Sequence, residues 1–274
     1  MSFDTLGAGG LDYLPCQYGT SKVLFRGPQK SLEAPYVAFF GGTETYGKFI
    51  EKPFPDLIGA EVAATCINFG VLNAGLDLYV QDAFLRNVAS NAPVTVLQVT
   101  SPRNMSNRFY TVHPRRNDRF VKPSVLLKAI YREVDFSQFN FTRHLLQHLQ
   151  AVSPDRFKSI IEELREAWIA RMRLLLGQMP GKTILLWFAD HAPSARRDTT
   201  GADPWFVTQG MIDEIRGLVT DYVEVIPTLS ARNTGTDGMI YADMERPAAA
   251  QMMGPAAHIE AAQKLRGAVK RLIQ

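Results

Sequence analysis

The chain has few cysteines, no long apolar run and little net charge, and each of these shortages removes a class of protein. Its only two cysteines, Cys16 and Cys66, are far apart in the sequence, form no metal-ligand spacing and are typical of a protein of the reducing cytoplasm. No stretch approaches the roughly 18 consecutive apolar residues of a membrane-spanning helix. The first residues, MSFDTLGAGGLDYLPCQYG, lack the basic and apolar regions of a secretory signal. The net charge of +3 is too small to indicate nucleic acid or membrane binding. We therefore expect a cytoplasmic protein with neither partner.

What the sequence does contain is a regular alternation of short apolar runs and helical patterns. Its 274 residues are 46% hydrophobic and 21% charged, which is ordinary for a globular protein. The runs are apolar on both faces, as in buried parallel strands. We predict strands at 36–40, 65–70, 94–100, 183–190 and 223–227, and helices at 73–90, 203–219 and 255–273. This order predicts an α/β fold with a five-stranded parallel sheet between two helical layers.

One domain with an insertion accounts for the rest of the chain. Residues 1–35 are rich in Gly, Pro and Tyr and predict an irregular arm across the domain. Residues 104–181 separate the third and fourth strands, and they begin with a basic loop and continue as helices. The second of these helices carries an apolar stripe at spacings of three and four residues: Ile160, Ile161, Leu164, Trp168, Met172 and Leu175. The insertion is interpreted as a cap over the site or as an arm for homo-oligomerisation.

Polar sequences follow four of the predicted strands. They are GGTETYG, NFGVLNAG, TSPRNMSN and ADHAPSARR. Because ligands in a parallel sheet bind beyond the carboxyl ends of the strands, these segments predict the site. His258 stands at the start of the last helix.

These segments resemble the motifs of the SGNH, or GDSL-type, hydrolase superfamily. FGGTETYG matches the first motif, with Gly42 where Asp usually lies and Thr43 at the place of the nucleophilic Ser. The resemblance implies a flavodoxin-like three-layer fold, an oxyanion hole from Gly42, Gly70 and Asn104, and His258 as the base. Pro255 occupies the place of the Asp that usually orients this histidine. The chain also resembles an uncharacterised bacterial domain family that shares FFGGTETYGKF and NFGVLNAG.

Each site residue has a structural alternative. An alcohol attacks a carbonyl when a base removes its proton, and an oxyanion requires hydrogen-bond donors. Thr43 is equally suited to cap a short helix. Gly70, Asn73 and Asn104 are also suited to ordinary loops and turns, and His258 to a surface position. Asp243 and Glu245 are candidates to replace the missing Asp.

Two further groups of residues lie near the predicted strand ends. Asp190 and His191 are adjacent, so in an extended segment their side chains point in opposite directions, which argues against a dyad. Arginines before and after the fourth strand predict an anion-binding pocket, with a solvated loop surface as the alternative: Arg103, Arg108, Arg196 and Arg197, with Arg115, Arg116 and Arg119 nearby. Phe109, Tyr110 and Phe120 lie between arginines and suit a sugar ring.

The leading functional prediction is a divergent SGNH-like hydrolase or acyl-transfer enzyme. Its substrate is expected to be a small-molecule ester, such as an acylated saccharide or another anionic compound, and no cofactor or metal is predicted. One alternative is a catalytically inactive binding protein on the same fold. A second is a transferase that uses a phosphorylated or sulfated nucleotide, because GGTETYGK has some likeness to a phosphate-binding loop.

Overall fold

The computed structural model describes residues 9–33, 35–195, 200–201 and 203–274. Five strands form one parallel sheet in the order β2-β1-β3-β6-β7, and β4 and β5 form a separate antiparallel pair. The strands are β1 Tyr36–Phe40, β2 Thr65–Asn68, β3 Val94–Gln98, β4 Tyr110–Val112, β5 Phe120–Pro123, β6 Lys182–Phe188 and β7 Asp221–Val225. The predicted five-stranded parallel sheet is therefore confirmed.

Helices of varied length connect the strands. They are α1 Thr43–Tyr46, α2 Phe54–Gly59, α3 Leu76–Gln81, α4 Ala83–Asn91, α5 Val125–Ile130, α6 Thr142–Val152, α7 Pro154–Leu176, α8 Gln209–Arg216, α9 Leu229–Asn233, α10 Arg246–Ala249 and α11 Pro255–Ile273. Short 3-10 turns lie at Pro102–Asn104, Phe136–Gln138 and Asp243–Glu245. Within the described ranges, none of these helices is long and apolar enough to cross a membrane.

The sheet is buried on both faces, because its side chains alternate between two apolar cores. In β1, Ala38 and Phe40 pack with α3, α4, α7 and α8, whereas Val37 and Phe39 pack with α2 and α11. All five residues of β1 are buried, which explains why its sequence shows no polar alternation. The result is the predicted three-layer α/β/α arrangement.

The helix α7 belongs to two parts of the molecule. Its second half packs on the sheet through Trp168, Met172 and Leu175, so the predicted apolar stripe is confirmed there as a contact surface. Its first half packs through Ile160 and Leu164 in a third core, formed with β4, β5, α5 and α6. The indole N–H of Trp168 donates to the carbonyl of Thr100 at 2.9 Å and ties α7 to the loop after β3. The inserted segment therefore supplies part of the layer on the sheet.

The described part of the N-terminal arm, residues 9–33, lies against the main domain. Cys16 and Phe25 form an antiparallel bridge, and the ring of Phe25 contacts that of Phe69 after β2, with centroids 5.3 Å apart. The buried side chain of Arg26 donates to the carbonyl of Gly47 at 2.8 Å. The arm thus braces the segment that follows α1.

Two predicted helices have different boundaries in the structure, for local reasons. The predicted helix at 73–90 is divided at Asp82, whose extended backbone ends α3 and whose carboxylate accepts hydrogen bonds from Phe84 N–H and Leu85 N–H to begin α4. The predicted helix at 203–219 begins only at Gln209, because Phe206 has a φ of 62° that no right-handed helix accepts.

The strand order places a switch point between β1 and β3. From β1 the chain continues to β2 on one side of the sheet, and from β3 it continues to β6 on the other side. In open α/β sheets a crevice opens at such a point, beyond the carboxyl ends of the two strands. The loops that follow β1 and β3 are therefore where a ligand site is expected.

Candidate functional site

A cleft of about 540 Å³ opens at this switch point. This volume lies within the range of roughly 300–1,000 Å³ that is typical of small-molecule sites. Its lining comes from the loops after β1, β2, β3 and β6, from α6, and from the segment between α9 and the start of α11. The polar side chains on it are Thr43, Glu44, Asn73, Gln98, Thr100, Ser101, Arg103, Asn104, Arg143, Asp190, Asp203, Arg232 and Gln251.

The turn after β1 is built around the side chain of Gln98, the last residue of β3. Phe40 lies opposite Leu97 in the sheet, so the turn begins beside Gln98. The Gln98 amide oxygen accepts hydrogen bonds from Gly42 N–H at 3.0 Å and from the Thr45 hydroxyl at 2.6 Å. A Cβ at Gly41 would lie 2.5 Å from the same oxygen, so this close approach requires glycine. Gln98 is 3% exposed, so a buried side chain holds the turn in place.

Glu44 is the acidic group that this turn presents to the cleft. The Gln98 amide N–H donates to a Glu44 carboxylate oxygen at 3.2 Å, so the same side chain that shapes the turn also orients Glu44. Glu44 is half-buried. Burial raises the pKa of its carboxyl, and the negative charge of Asp203 raises it further. Glu44 is therefore suited to hold and transfer a proton.

The hydroxyl of Thr43 lines the cleft but is engaged with Asn73. It accepts a hydrogen bond from Asn73 N–H at 3.0 Å and lies 3.5 Å from the Asn73 side-chain oxygen. Thr43 is the first residue of α1, and Gly42 is the N-cap, so Thr43 does not cap this helix. Its hydroxyl instead joins the loop after β1 to the loop after β2.

The three groups predicted to form an oxyanion hole are used within the protein. Gly42 N–H donates to Gln98, as described above, and Gly70 N–H donates to the side-chain oxygen of Asn68 at 2.9 Å. A Cβ at Gly70 would lie 2.4 Å from the backbone nitrogen of Tyr46, so glycine is needed there for packing. The Asn104 amide donates to the carbonyl of Asn73 at 2.8 Å. Gly42 and Asn104 line the cleft, whereas Gly70 does not.

His258 lies outside the cleft, and the predicted pair with Thr43 does not form. The imidazole is 1% exposed, between the rings of Phe54 and Phe188. Its Nδ1 accepts a hydrogen bond from Phe54 N–H at 3.3 Å. Burial, with a smaller contribution from the charge of Arg26, lowers the pKa of His258 to about 3. The imidazole is thus neutral at physiological pH and its role here is to hold α2 against α11.

The carboxylates proposed as substitutes for the missing Asp have other positions. Asp243 forms an ion pair with Arg246, three residues further along, and its side chain is almost fully exposed. Glu245 lies 3.6 Å from the ammonium of Lys48. Their described hydrogen bonds and ion pairs do not include His258.

The prediction that Asp190 and His191 point in opposite directions is wrong. The chain bends after β6, so the segment is not extended. The Asp190 carboxylate lies 2.6 Å from His191 Nδ1. Asp190 lines the cleft, whereas the buried imidazole of His191 packs against the indole of Trp187 and does not line it. The pair therefore presents only its carboxylate to the cleft.

The predicted anion-binding arginines separate in the structure. Arg103 lines the cleft, but it is buried and forms an ion pair with Asp203 while it stacks on Trp205. Arg108 is bound to Glu163 and is not part of the cleft. Arg196 and Arg197 lie outside the described residues. The sequence prediction overlooked Arg143 of α6, which lines the cleft with its guanidinium 5.6 Å from the Trp205 ring centroid.

The aromatic residues proposed to hold a sugar ring are not available to a ligand. Phe109, Tyr110 and Phe120 are buried in the third core, with α6 and the first half of α7. They form part of the apolar core of the inserted segment. Among the described residues, no three His, Cys, Asp or Glu side chains gather as ligands for a metal.

The structure defines an α/β protein with a cleft at the switch point of its sheet, and comparison with known proteins gives its family. The chain belongs to the family described as a domain of unknown function, DUF6473, whose model matches residues 1–273. None of the proteins with a curated description matches the chain.

The solved structures that align with this chain include two of low sequence identity. The lipase Lip_vut3 from a goat rumen metagenome aligns over 87% of this chain and 100% of its own, with 11% sequence identity and a TM-score of 0.41. A protein from Lactobacillus plantarum aligns over 86% of this chain and 97% of its own, also with 11% identity and a TM-score of 0.41.

Removing the Gln98 amide is expected to destabilise the turn. Gln98→Leu leaves Gly42 N–H and the Thr45 hydroxyl without their acceptor, and the free energy of unfolding should fall by about 2–4 kcal/mol in urea denaturation. Thr95→Val is the matched control in the same strand, because the buried Thr95 hydroxyl has no partner among the described residues. The control should change stability by less than about 0.5 kcal/mol. Equal losses in both variants would contradict this role of Gln98.

His258 is expected to make the protein sensitive to acid. Its pKa is about 3 in the folded chain and about 6.5 when unfolded, so the unfolded chain takes up the proton first as the pH falls. The stabilisation is complete above the unfolded pKa and is lost toward the folded one. Between about pH 7 and about pH 4.5, wild type should lose about 2.5 kcal/mol of unfolding free energy through this group. His258→Asn keeps an acceptor for Phe54 N–H without titrating.

The control for this measurement is His148→Asn, since His148 is exposed on α6. It should lose as much stability as wild type on acidification, whereas His258→Asn should lose clearly less. The same acid loss in all three proteins would show that His258 is not the responsible group.

Proposed function

We propose that this protein is a divergent SGNH-like protein whose cleft binds a small organic molecule without forming an acyl-enzyme on Thr43. The observation that carries the proposal is the separation of the two groups that acyl transfer would need. Thr43 lines the cleft with its hydroxyl bonded to Asn73, and His258 is enclosed between aromatic rings outside the cleft. This favours the binding protein among the alternatives that the sequence left open.

The chemistry of acyl transfer explains why this separation matters. A hydroxyl becomes a nucleophile when a base within hydrogen-bond reach takes its proton. A neutral imidazole with a pKa of about 3 is a weak base, and its Nδ1 is already an acceptor for Phe54 N–H. The donors expected at the oxyanion are also bonded within the protein. The base and the oxyanion donors that acyl transfer would need are therefore both hydrogen-bonded within the protein.

The cleft nevertheless keeps the properties of a ligand site. It combines charged groups, hydroxyls and amides with an apolar wall, and such a combination is typical of sites for small organic molecules. The nucleotide alternative is less favoured, because Lys48 pairs with Glu245 and lies over the ring of Phe49, away from the cleft lining.

A specific observation favours a second candidate, a hydrolytic enzyme in which Glu44 is the acid–base group. Glu44 is on the cleft, its pKa is raised by burial, and Gln98 fixes its orientation. A carboxylate with these properties is suited to take a proton from an attacking water molecule. In this candidate, Thr43 is not the nucleophile, and its hydroxyl holds Asn73 in position.

Ligand entry is tested by methyl NMR of the methionines. The chain has nine methionines, of which Met252 and Met253 line the cleft and Met244 is 85% exposed elsewhere. A library of small organic acids, alcohols, amines and sugars should contain compounds that shift the Met252 and Met253 signals and leave that of Met244 unchanged. If no compound shifts the cleft signals selectively, the proposed binding function is wrong.

Replacing Thr43 by Ser is expected to give no esterase activity. The smaller side chain removes the steric effect of the threonine methyl but supplies no base. Wild type, Thr43→Ser and Thr43→Ala should therefore all hydrolyse p-nitrophenyl acetate and butyrate at the background rate. Turnover gained in Thr43→Ser and absent in Thr43→Ala would reveal an intact acyl-transfer site and overturn the proposal.

The hydrolytic candidate predicts a different result for Glu44→Gln, which keeps the shape of the side chain but cannot take a proton. Compounds that bind the cleft are incubated with protein and analysed by chromatography. Wild type should form product, and Glu44→Gln should bind the same compound with its turnover reduced at least about 100-fold. Absence of product with wild type, or equal turnover by the variant, would eliminate this candidate.

A further inference from the structure

The arginines of the cleft have different partners. Arg103 is paired with Asp203, and Arg232 donates to the carbonyl oxygen of Asp190 at 3.3 Å. Arg143 lines the same cleft, and within the described part of the chain it contacts the ring of Trp205 but no carboxylate. Arg232 likewise has no carboxylate partner among the described residues, but one of its N–H groups is bonded within the protein. Arg143 is therefore the cleft arginine with the most N–H groups left for an anion.

Arg143 is also held in a way that suits anion binding. Trp205 is buried, and Arg103 lies over its ring as well, at 4.6 Å from the centroid. A guanidinium that packs against an aromatic ring keeps the N–H groups at its edge free for planar recognition of an oxyanion. Because Arg143 itself is exposed, an anion can reach it without a rearrangement of the core.

Part of the cleft lining is apolar. It is formed by Phe188 at the end of β6, Ala231 of α9, Met252 and Met253 before α11, and Ala257 of α11. Both methionines are half-buried. Methionine side chains are flexible and polarisable, so this part of the lining is suited to apolar groups of different shape.

We propose that the ligand is an amphipathic organic anion, with a carboxylate, sulfate or phosphate at Arg143 and an apolar chain or ring against Met252 and Met253. This inference rests on the proposed function and names the chemical class that the cleft takes. The polar and apolar parts of the lining belong to one cavity of about 540 Å³, so one small molecule contacts both. A ligand with only one of these two properties leaves the other part hydrated.

The test is a set of NMR titrations that read the Met253 methyl signal. Hexanoate, hexyl sulfate and hexyl phosphate are compared with acetate, hexanol and hexylamine. At least one of the three hexyl anions should bind at least about tenfold more tightly than hexanol or hexylamine. Each buried CH₂ is worth about a fourfold change in affinity, so hexanoate should also bind at least about tenfold more tightly than acetate. The three anions distinguish carboxylate from sulfate and phosphate recognition.

Two pairs of variants locate the contacts. Arg143→Gln should weaken the best anion at least about fivefold and leave hexanol binding unchanged, whereas Arg115→Gln, in the exposed loop after β4, should bind as wild type does. Met252→Ala should reduce the advantage of hexanoate over acetate, and Met244→Ala should not. Circular dichroism and thermal unfolding of each variant confirm that it is folded.

The outcomes separate this inference from the function on which it rests. If hexanol or hexylamine binds as tightly as the anions, or if Arg143→Gln binds them normally, the anion assignment is wrong although the cleft binds ligands. If none of these probes binds while other compounds of the library shift Met252 and Met253, the amphipathic class is wrong and the binding function stands. If no compound shifts the cleft signals, both are wrong.

Discussion

The site depends on one amide group, the side chain of Gln98 at the end of β3. A parallel strand normally ends with its side chains among the apolar layers, but here a buried amide lies directly beside the turn that follows the neighbouring strand. Its oxygen accepts from that turn and its N–H group donates to Glu44. Because a buried amide is costly unless it is hydrogen-bonded, the turn and the amide require one another. The position of Glu44 and the shape of the cleft floor follow from this arrangement.

Hydrogen bonding within the protein also explains why the Thr43 hydroxyl and the donors predicted for the oxyanion hole are not reactive groups in our account. The Thr43 hydroxyl and the Asn104 amide each join one strand-end loop to another, and Gly70 N–H bonds to Asn68 two residues earlier. In an acyl-transfer enzyme, comparable groups are held by the fold and left open toward the substrate. Here their hydrogen bonds are made inside the protein, and our proposal assigns ligand contacts to the guanidinium of Arg143 and the apolar side chains of the cleft, with Glu44 as the acid–base group of the second candidate.

Much of the fold was predictable because it depends on local patterns. Strands such as 36–40 are apolar on both faces, and few other arrangements can bury them. The last helix begins at Pro255, as predicted, because proline fits the first turn of a helix. Asp82 was harder, since a single capping carboxylate inside an apolar pattern ends one helix and starts another. A polar residue at the end of an apolar strand, as in VTVLQVT, was a signal for Gln98 that the prediction did not use.

The side-chain environment of the site was less predictable, because it depends on contacts between distant segments. His258 is surrounded by Phe54 and Phe188, and nothing near it in sequence indicates that burial. Arg143 reaches the cleft from the inserted segment through the packing of α6. Asp190 and His191 meet because the chain bends where an extended backbone was assumed. Motif likeness identified Gly42, Thr43 and Asn104, which line the cleft, but not the parts played there by Glu44, Gln98 and Arg143.

The central claim is that the Thr43 hydroxyl is a structural link and not a nucleophile, and covalent labelling tests it most directly. The folded protein is incubated with a fluorophosphonate, which reacts with activated hydroxyl groups of acyl-transfer enzymes, and its intact mass is then measured. Our account predicts an unmodified protein at reagent concentrations that fully label a serine esterase. An adduct that peptide mapping assigns to Thr43 would contradict it.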